Sequence, residues 1–157
     1  MNDTQELEIA LALNKAIKEF NQTRSNEALA LVVDKLLESR VLVPCTIRLE
    51  DGVNINNLRP GDDANIEGVH YVSEVLKTMD GKKWIPYFTT LKEMPEKYQK
   101  GYSQMNYKFI DICDEDLLNN QEITGGIVIN AFTDPFFVTK ELMSIIINYV
   151  NAQIRGE

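Results

Sequence analysis

Leu36-Leu37-Glu38-Ser39-Arg40-Val41-Leu42-Val43-Pro44 is the stretch on which the fold turns, because the apolar period changes inside it. Up to Leu37 apolar residues recur at helical spacing. From Val41 onward they run as a β-branched, strand-like segment reaching Leu49. Helix followed by strand within nine residues points to an α+β domain. The flanking sequence then has to say how many helices and strands there are.

N-terminal to the junction, two helices are expected. Asp3 and Glu6 have capping-box spacing, and Ile9, Leu13, Ala16, Ile17 and Phe20 make one apolar stripe. Asn21-Gln22-Thr23-Arg24 breaks that pattern. Ser25 can cap a second helix in which Leu29, Val32, Val33, Leu36 and Leu37 share a face. Two greasy faces joined by a short link predict a helical hairpin packed on a common surface.

C-terminal to the junction, residues 50–68 are rich in Asn, Asp, Gly and Pro and read as a surface excursion. Val69 to Met79 and Lys82 to Thr89 read as strands of a β-hairpin closed by Asp80-Gly81. Pro86 cannot donate to a ladder, which predicts a bulge or an edge position. Trp84 and Phe88 fall on one face of their strand, facing the helices. Thr90 to Glu93 has capping-box spacing and predicts a short helix ending near Gly101. A strand over Tyr107–Ile112, a helix over Asp114–Asn120 and a strand over Gly126–Asn130 predict a β-α-β unit with a parallel pair. A last helix is expected from Thr139. Val138 and Met143 are placed as its hydrophobic staple, and Leu142, Ile145, Ile146, Tyr149 and Val150 form its buried face. The expected fold class is therefore α+β: an N-terminal helical hairpin on a small mixed sheet with a β-hairpin, a β-α-β unit and a C-terminal helix. One domain, 1–157, accommodates all of it.

Three segments together resemble the N-terminal domain of the SseB family, the enhanced serine sensitivity proteins. Leu36–Pro44 is similar to the family's L-L-x-S-x-L-x-V-P junction. Asp80–Thr90 resembles its D-G-x-x-x-x-P-x-F-T-S hairpin, with Thr90 in place of Ser. Gly126-Ile127-Val128-Ile129-Asn130-Ala131-Phe132 resembles G-[IV]-x-[IL]-N-P-F, with Ala131 in place of Pro. A further departure expected is the lack of the second domain found in longer members. The resemblance implies a mixed α/β domain in a bacterial cytoplasmic setting, without assigned catalytic residues. The residues themselves read structurally: Thr89-Thr90 as a strand end and helix cap, Asn130 as an Asx turn at the end of a strand.

Composition narrows the function. The 157 residues carry 16 basic and 24 acidic side chains, a net charge of -8, which disfavours binding to phosphate backbones. Residues 81–108 run against that trend, with six lysines and two glutamates. No apolar run approaches the roughly 18 residues of a membrane span. The polar start Met1-Asn2-Asp3-Thr4 carries no export pattern, so a cytoplasmic location is expected and membrane or nucleic-acid partners are not.

No catalytic, cofactor or metal site is expected. His70, the single histidine, has no nucleophile or carboxylate at a motif spacing. Cys45 reads as a small core residue, and the two cysteines match no metal spacing. Cys113-Asp114-Glu115-Asp116 reads as a helix start favoured by the macrodipole. Asp51, Asp62 and Asp63 match no EF-hand pattern, Gly125-Gly126 is no dinucleotide fingerprint, and no G-x-S-x-G is present. The segment most suggestive of function is Ala131-Phe132-Thr133-Asp134-Pro135-Phe136-Phe137. Its Phe132, Thr133, Asp134, Phe136 and Phe137 form either a partner surface for another protein or a cover beneath the last helix. The expected function is a non-enzymatic interaction or regulatory module. The alternative is a small-ligand binder or enzyme using the strand-end loops around Asn130–Phe137, with Asp134, Thr133 and His70 as its polar groups. Self-association stays open.

Overall fold

The structure, a computed structural model, describes residues 3–48 and 70–156, without the side chain of His70. The excursion 50–68, with Asp51, Asp62 and Asp63, lies outside the described residues, as does any role for the His70 imidazole.

Helices α1 (Asp3–Thr23) and α2 (Asn26–Glu38) form the expected hairpin. The Ala28 amide donates to Ser25 Oγ at 3.1 Å, which makes Ser25 the cap of α2. Leu13, Ala16 and Ile17 of α1 and Val32 and Leu36 of α2 are buried, the faces that helical periodicity selects. Strand β1 (Arg40–Arg48) follows directly and sits between β2 (His70–Ser73) and β5 (Ser103–Lys108), antiparallel to both. The remaining strands are β3 (Leu76–Lys77), β4 (Lys83–Tyr87), β6 (Gly126–Ile129) and β7 (Phe136–Thr139). They form a second sheet in the order β3-β4-β6-β7. Short helices α3 (Phe109–Ile112) and α4 (Glu115–Leu118) lead into β6, and α5 (Lys140–Arg155) closes the described chain.

The fold class is α+β, and several pairings differ from expectation. The single stretch 69–79 divides at Glu74–Val75, where the Glu74 amide donates to the Pro44 carbonyl. One half joins β1 and the other joins β4. The two sheets are stitched by paired bonds between Leu42 and Phe88, at 2.7 and 2.9 Å. Pro86 explains the changeover. The peptide groups of Lys83 and Tyr87 face β6, so Trp84, Pro86 and Phe88 face the opposite edge. There Trp84 meets β3 and Phe88 meets β1, and Pro86, lacking an N–H, occupies the gap between them. It therefore lies in an inner strand rather than at the sheet's edge.

The parallel pair exists, with a different first strand. Strand β6 runs parallel to β4, while residues 109–112 turn helical and β5 pairs with β1. Thr90 makes no side-chain cap bond, and the segment after it is two 3-10 turns, Leu91–Glu93 and Glu96–Tyr98. Helix α5 begins as expected: the Leu142 amide donates to Thr139 Oγ1 at 3.3 Å, and Val138 and Met143 are both buried. Its buried face is rotated from the expected one. Met143, Ile146 and Ile147 are inside, whereas Ile145 is 65% exposed and Tyr149 also faces out.

The main core lies between the helices and one face of the strands, with Ile85, Tyr87, Ile127, Ile129 and Val138 contributed by the second sheet. A smaller cluster of Phe88, Met94 and Tyr98 forms separately. Because side chains alternate along a strand, Trp84 and Phe88 share a face as expected, but it is the face turned away from the helices.

Candidate functional site

The resemblance-bearing segments converge at the carboxyl ends of the parallel strands β4 and β6. Thr89 follows β4 and Asn130 follows β6, and both are buried. The Thr89 amide donates to Asn130 Oδ1 at 3.0 Å. Asn130 Nδ2 donates to Thr89 Oγ1 at 3.1 Å and to Asn14 Oδ1 at 3.0 Å. The Thr89 hydroxyl in turn donates to Asn14 Oδ1 at 2.7 Å. The backbone of Asn130 is left-handed, with φ 54°, a conformation Asn tolerates better than most residues. The expected Asx turn is not made: the Asn130 side chain bonds none of the described residues that follow it, and its acceptor serves a strand end 41 residues away. Asn14, on the polar margin of α1, gives no motif signal in sequence, yet it completes the triad.

Beyond Asn130 the chain forms the aromatic loop. Thr133 donates its hydroxyl to the Glu93 carboxylate, and Asn21 Nδ2 donates to the Pro135 carbonyl at 3.1 Å. The three phenylalanines separate. Phe136 is 2% exposed, its ring edge-on to Phe20 at 5.6 Å, and it belongs to the main core; it offers no surface. Phe132 is 46% exposed and stacks on Phe88 at 6.3 Å with 14° between the rings. Lys97 Nζ lies 4.8 Å from its centroid. Phe137 is 43% exposed and meets Trp84 edge-on at 4.8 Å. Adjacent residues on a strand point to opposite faces, so Phe136 and Phe137 cannot share a role. Asp134 is exposed at the tip of the loop.

The other singled-out residues have structural places. Cys45 lies within β1, and burial pushes its thiol up to about 11. Cys113 ends α3, and burial, with the neighbouring Asp114 carboxylate, pushes it up to about 12. Both thiols are therefore held protonated, the opposite of an activated nucleophile. Asp114 accepts from the Leu117 amide at 2.9 Å and caps α4. Among the described residues, no three His, Cys, Asp or Glu side chains gather as a metal centre would need. Gly125 lies against the Trp84 indole, where a Cβ would come within 2.3 Å of the ring.

A shallow cavity of about 200 Å³ opens beside the triad, bordered by Glu6, Arg40, Thr89, Thr90 and Asn106. No helix of the described residues is long and apolar enough to cross a membrane.

No curated protein and no solved structure matches the chain. The family model of the SseB protein N-terminal domain matches residues 13–143, a span that contains Asn14, Thr89, Asn130 and the aromatic loop. By that match over most of its length, the chain belongs to the SseB family.

Proposed function

We propose that this SseB-family domain is a non-enzymatic interaction module, which binds a partner protein through the 130–137 loop and the neighbouring 3-10 turns. The observation that carries this reading is the Phe132 ring. It stands half in solvent while stacked on Phe88 and covered by Lys97. The loop that presents it is held at both ends, by the Asn130–Thr89–Asn14 bonds and by Asn21 on Pro135. An anchored aromatic ring loses little freedom on binding, the condition that favours binding hot spots. The lysine surplus of residues 81–108 selects the partner's chemistry: an acidic segment carrying an apolar side chain.

The strand-end polar groups support a small-ligand site less well. Asn14, Thr89 and Asn130 are hydrogen-bonded to one another, so a ligand would have to displace those bonds.

Capture from the native cytoplasm, comparing the wild type with Phe132→Ala/Lys97→Glu, tests the proposal. The double variant should lose a protein that the wild type retains, with the melting temperature nearly unchanged. An unaltered set of captured proteins would remove Phe132 from any interface.

A further inference from the structure

Strand β7 is the outermost strand of its sheet, and the ladder dictates which of its groups face outward. The Asn130 amide donates to the Tyr87 carbonyl, so Val128 also turns its peptide groups to β4, and Ile127 and Ile129 turn theirs to β7. Their register partners, Val138 and Phe136, face β6. Phe137 is left with its N–H and C=O on the open edge, followed by the N–H of Thr139. Among the described residues no strand pairs with these groups. An uncovered edge is a ready template for another strand.

Beside that edge lies an apolar groove of about 540 Å³, between Phe20 and Leu29 on one side and Leu142 and Ile145 on the other. Its two charged side chains, Arg24 and Glu141, sit at opposite ends of β7. Arg24 lies over Phe20, whose ring meets Phe136 at the start of the strand. Glu141 is in the first turn of α5, just past Thr139 at the strand's end. Continuing from the groove along α5, Ile145 and Tyr149 are exposed one turn apart.

We propose that β7 is the two-fold interface of a homodimer, in which two copies pair their β7 edges antiparallel about Phe137. A two-fold axis requires a surface complementary to itself, and this one is. An antiparallel partner strand brings the second copy's Glu141 to Arg24, and its Arg24 to Glu141. The Phe137 N–H and C=O find their counterparts in the second copy's Phe137. The Thr139 amide of each copy meets the other's Pro135 carbonyl, whose second lone pair it takes beside the bond from Asn21. The Ile145–Tyr149 stripes of the two α5 helices close over one another. A foreign extended peptide would use the edge and the groove but leave that stripe in water, which is why a second copy fits better. The inference is independent of the partner surface at Phe132, whose ring stacks on Phe88 at the end of β4, two strands in from the β7 edge.

The test uses the full chain and sedimentation over a range of concentrations. The wild type should sediment with twice the monomer mass. Arg24→Glu and Glu141→Arg should each weaken self-association about tenfold or more, and the double reversal should recover it. Ile145→Glu, at an exposed position, should give a monomer whose circular dichroism matches the wild type; it serves equally if a charge variant fails to fold. A wild type that stays monomeric overturns the proposal. So does a dimer indifferent to these substitutions, or a double reversal no better than its parents.

Discussion

The carboxamide oxygen of Asn130 accepts a hydrogen bond from the backbone amide of Thr89 at 3.0 Å, tying the end of β6 to the end of β4. Both residues are buried, and Asn14 joins them from α1. One side chain therefore connects the two parallel strands and the helical hairpin. Because it is buried, leaving any of these groups unpaired is expensive.

Asn130→Ala should destabilise the fold by about 2–4 kcal/mol. It strips an acceptor from a buried amide and places Ala at φ 54°. Asn130→Gly relieves the backbone strain and leaves only the lost hydrogen bonds. Denaturant unfolding of both separates the contributions, and a glycine variant as stable as wild type would show that the triad contributes nothing.

Phe136→Ala should cost about 3–5 kcal/mol, the range for emptying a core aromatic site. Phe132→Ala should cost far less, since its ring keeps water on one side. Equal losses for the two would mean that Phe132 is core after all.

Gly125→Ala should lose about 1–3 kcal/mol through overpacking against the indole. Trp84 is the sole tryptophan, so its emission reports the displacement directly. Unchanged stability and emission would show that the ring has room to move.

Stability should fall on the alkaline side. Burial raises Cys45 to about 11, and Cys113 and Tyr98 to about 12, from ordinary values of 9.0 for the thiols and 10.0 for the phenol. Groups raised in the folded state contribute stability that is complete below the unfolded pKa and lost as pH climbs toward the folded one. The denaturation midpoint should thus hold to about pH 9 and decline above it. A midpoint that rises in that window would contradict the burial of these groups.

Much of the architecture is legible along the chain. Helix faces at Leu13–Ile17 and Val32–Leu36, the Ser25 and Thr139 caps and the Asp80-Gly81 turn all depend on neighbours within a few residues. The α5 face is ambiguous in sequence because Leu142, Ile145, Ile146 and Tyr149 satisfy helical spacing as well as Met143, Ile146 and Ile147 do. Which stripe is buried depends on the sheet beneath it.

By itself the sequence determined the α+β class, the N-terminal helical hairpin, the C-terminal helix and the family, since periodicity, caps and turn chemistry are local. Strand β7 (Phe136–Thr139), read as loop, and helix α3, read as the end of a strand, were not legible in it. Tertiary structure alone decided that β6 lies beside β4, that Pro86 fills the gap between two partner strands, and that Asn14 meets Asn130. It also decided which of two adjacent phenylalanines is buried. Alternation requires Phe136 and Phe137 to point to opposite faces but is silent on which face the helices cover. That choice belongs to contacts between residues more than a hundred positions apart, such as Phe20 on Phe136, and no local pattern carries them.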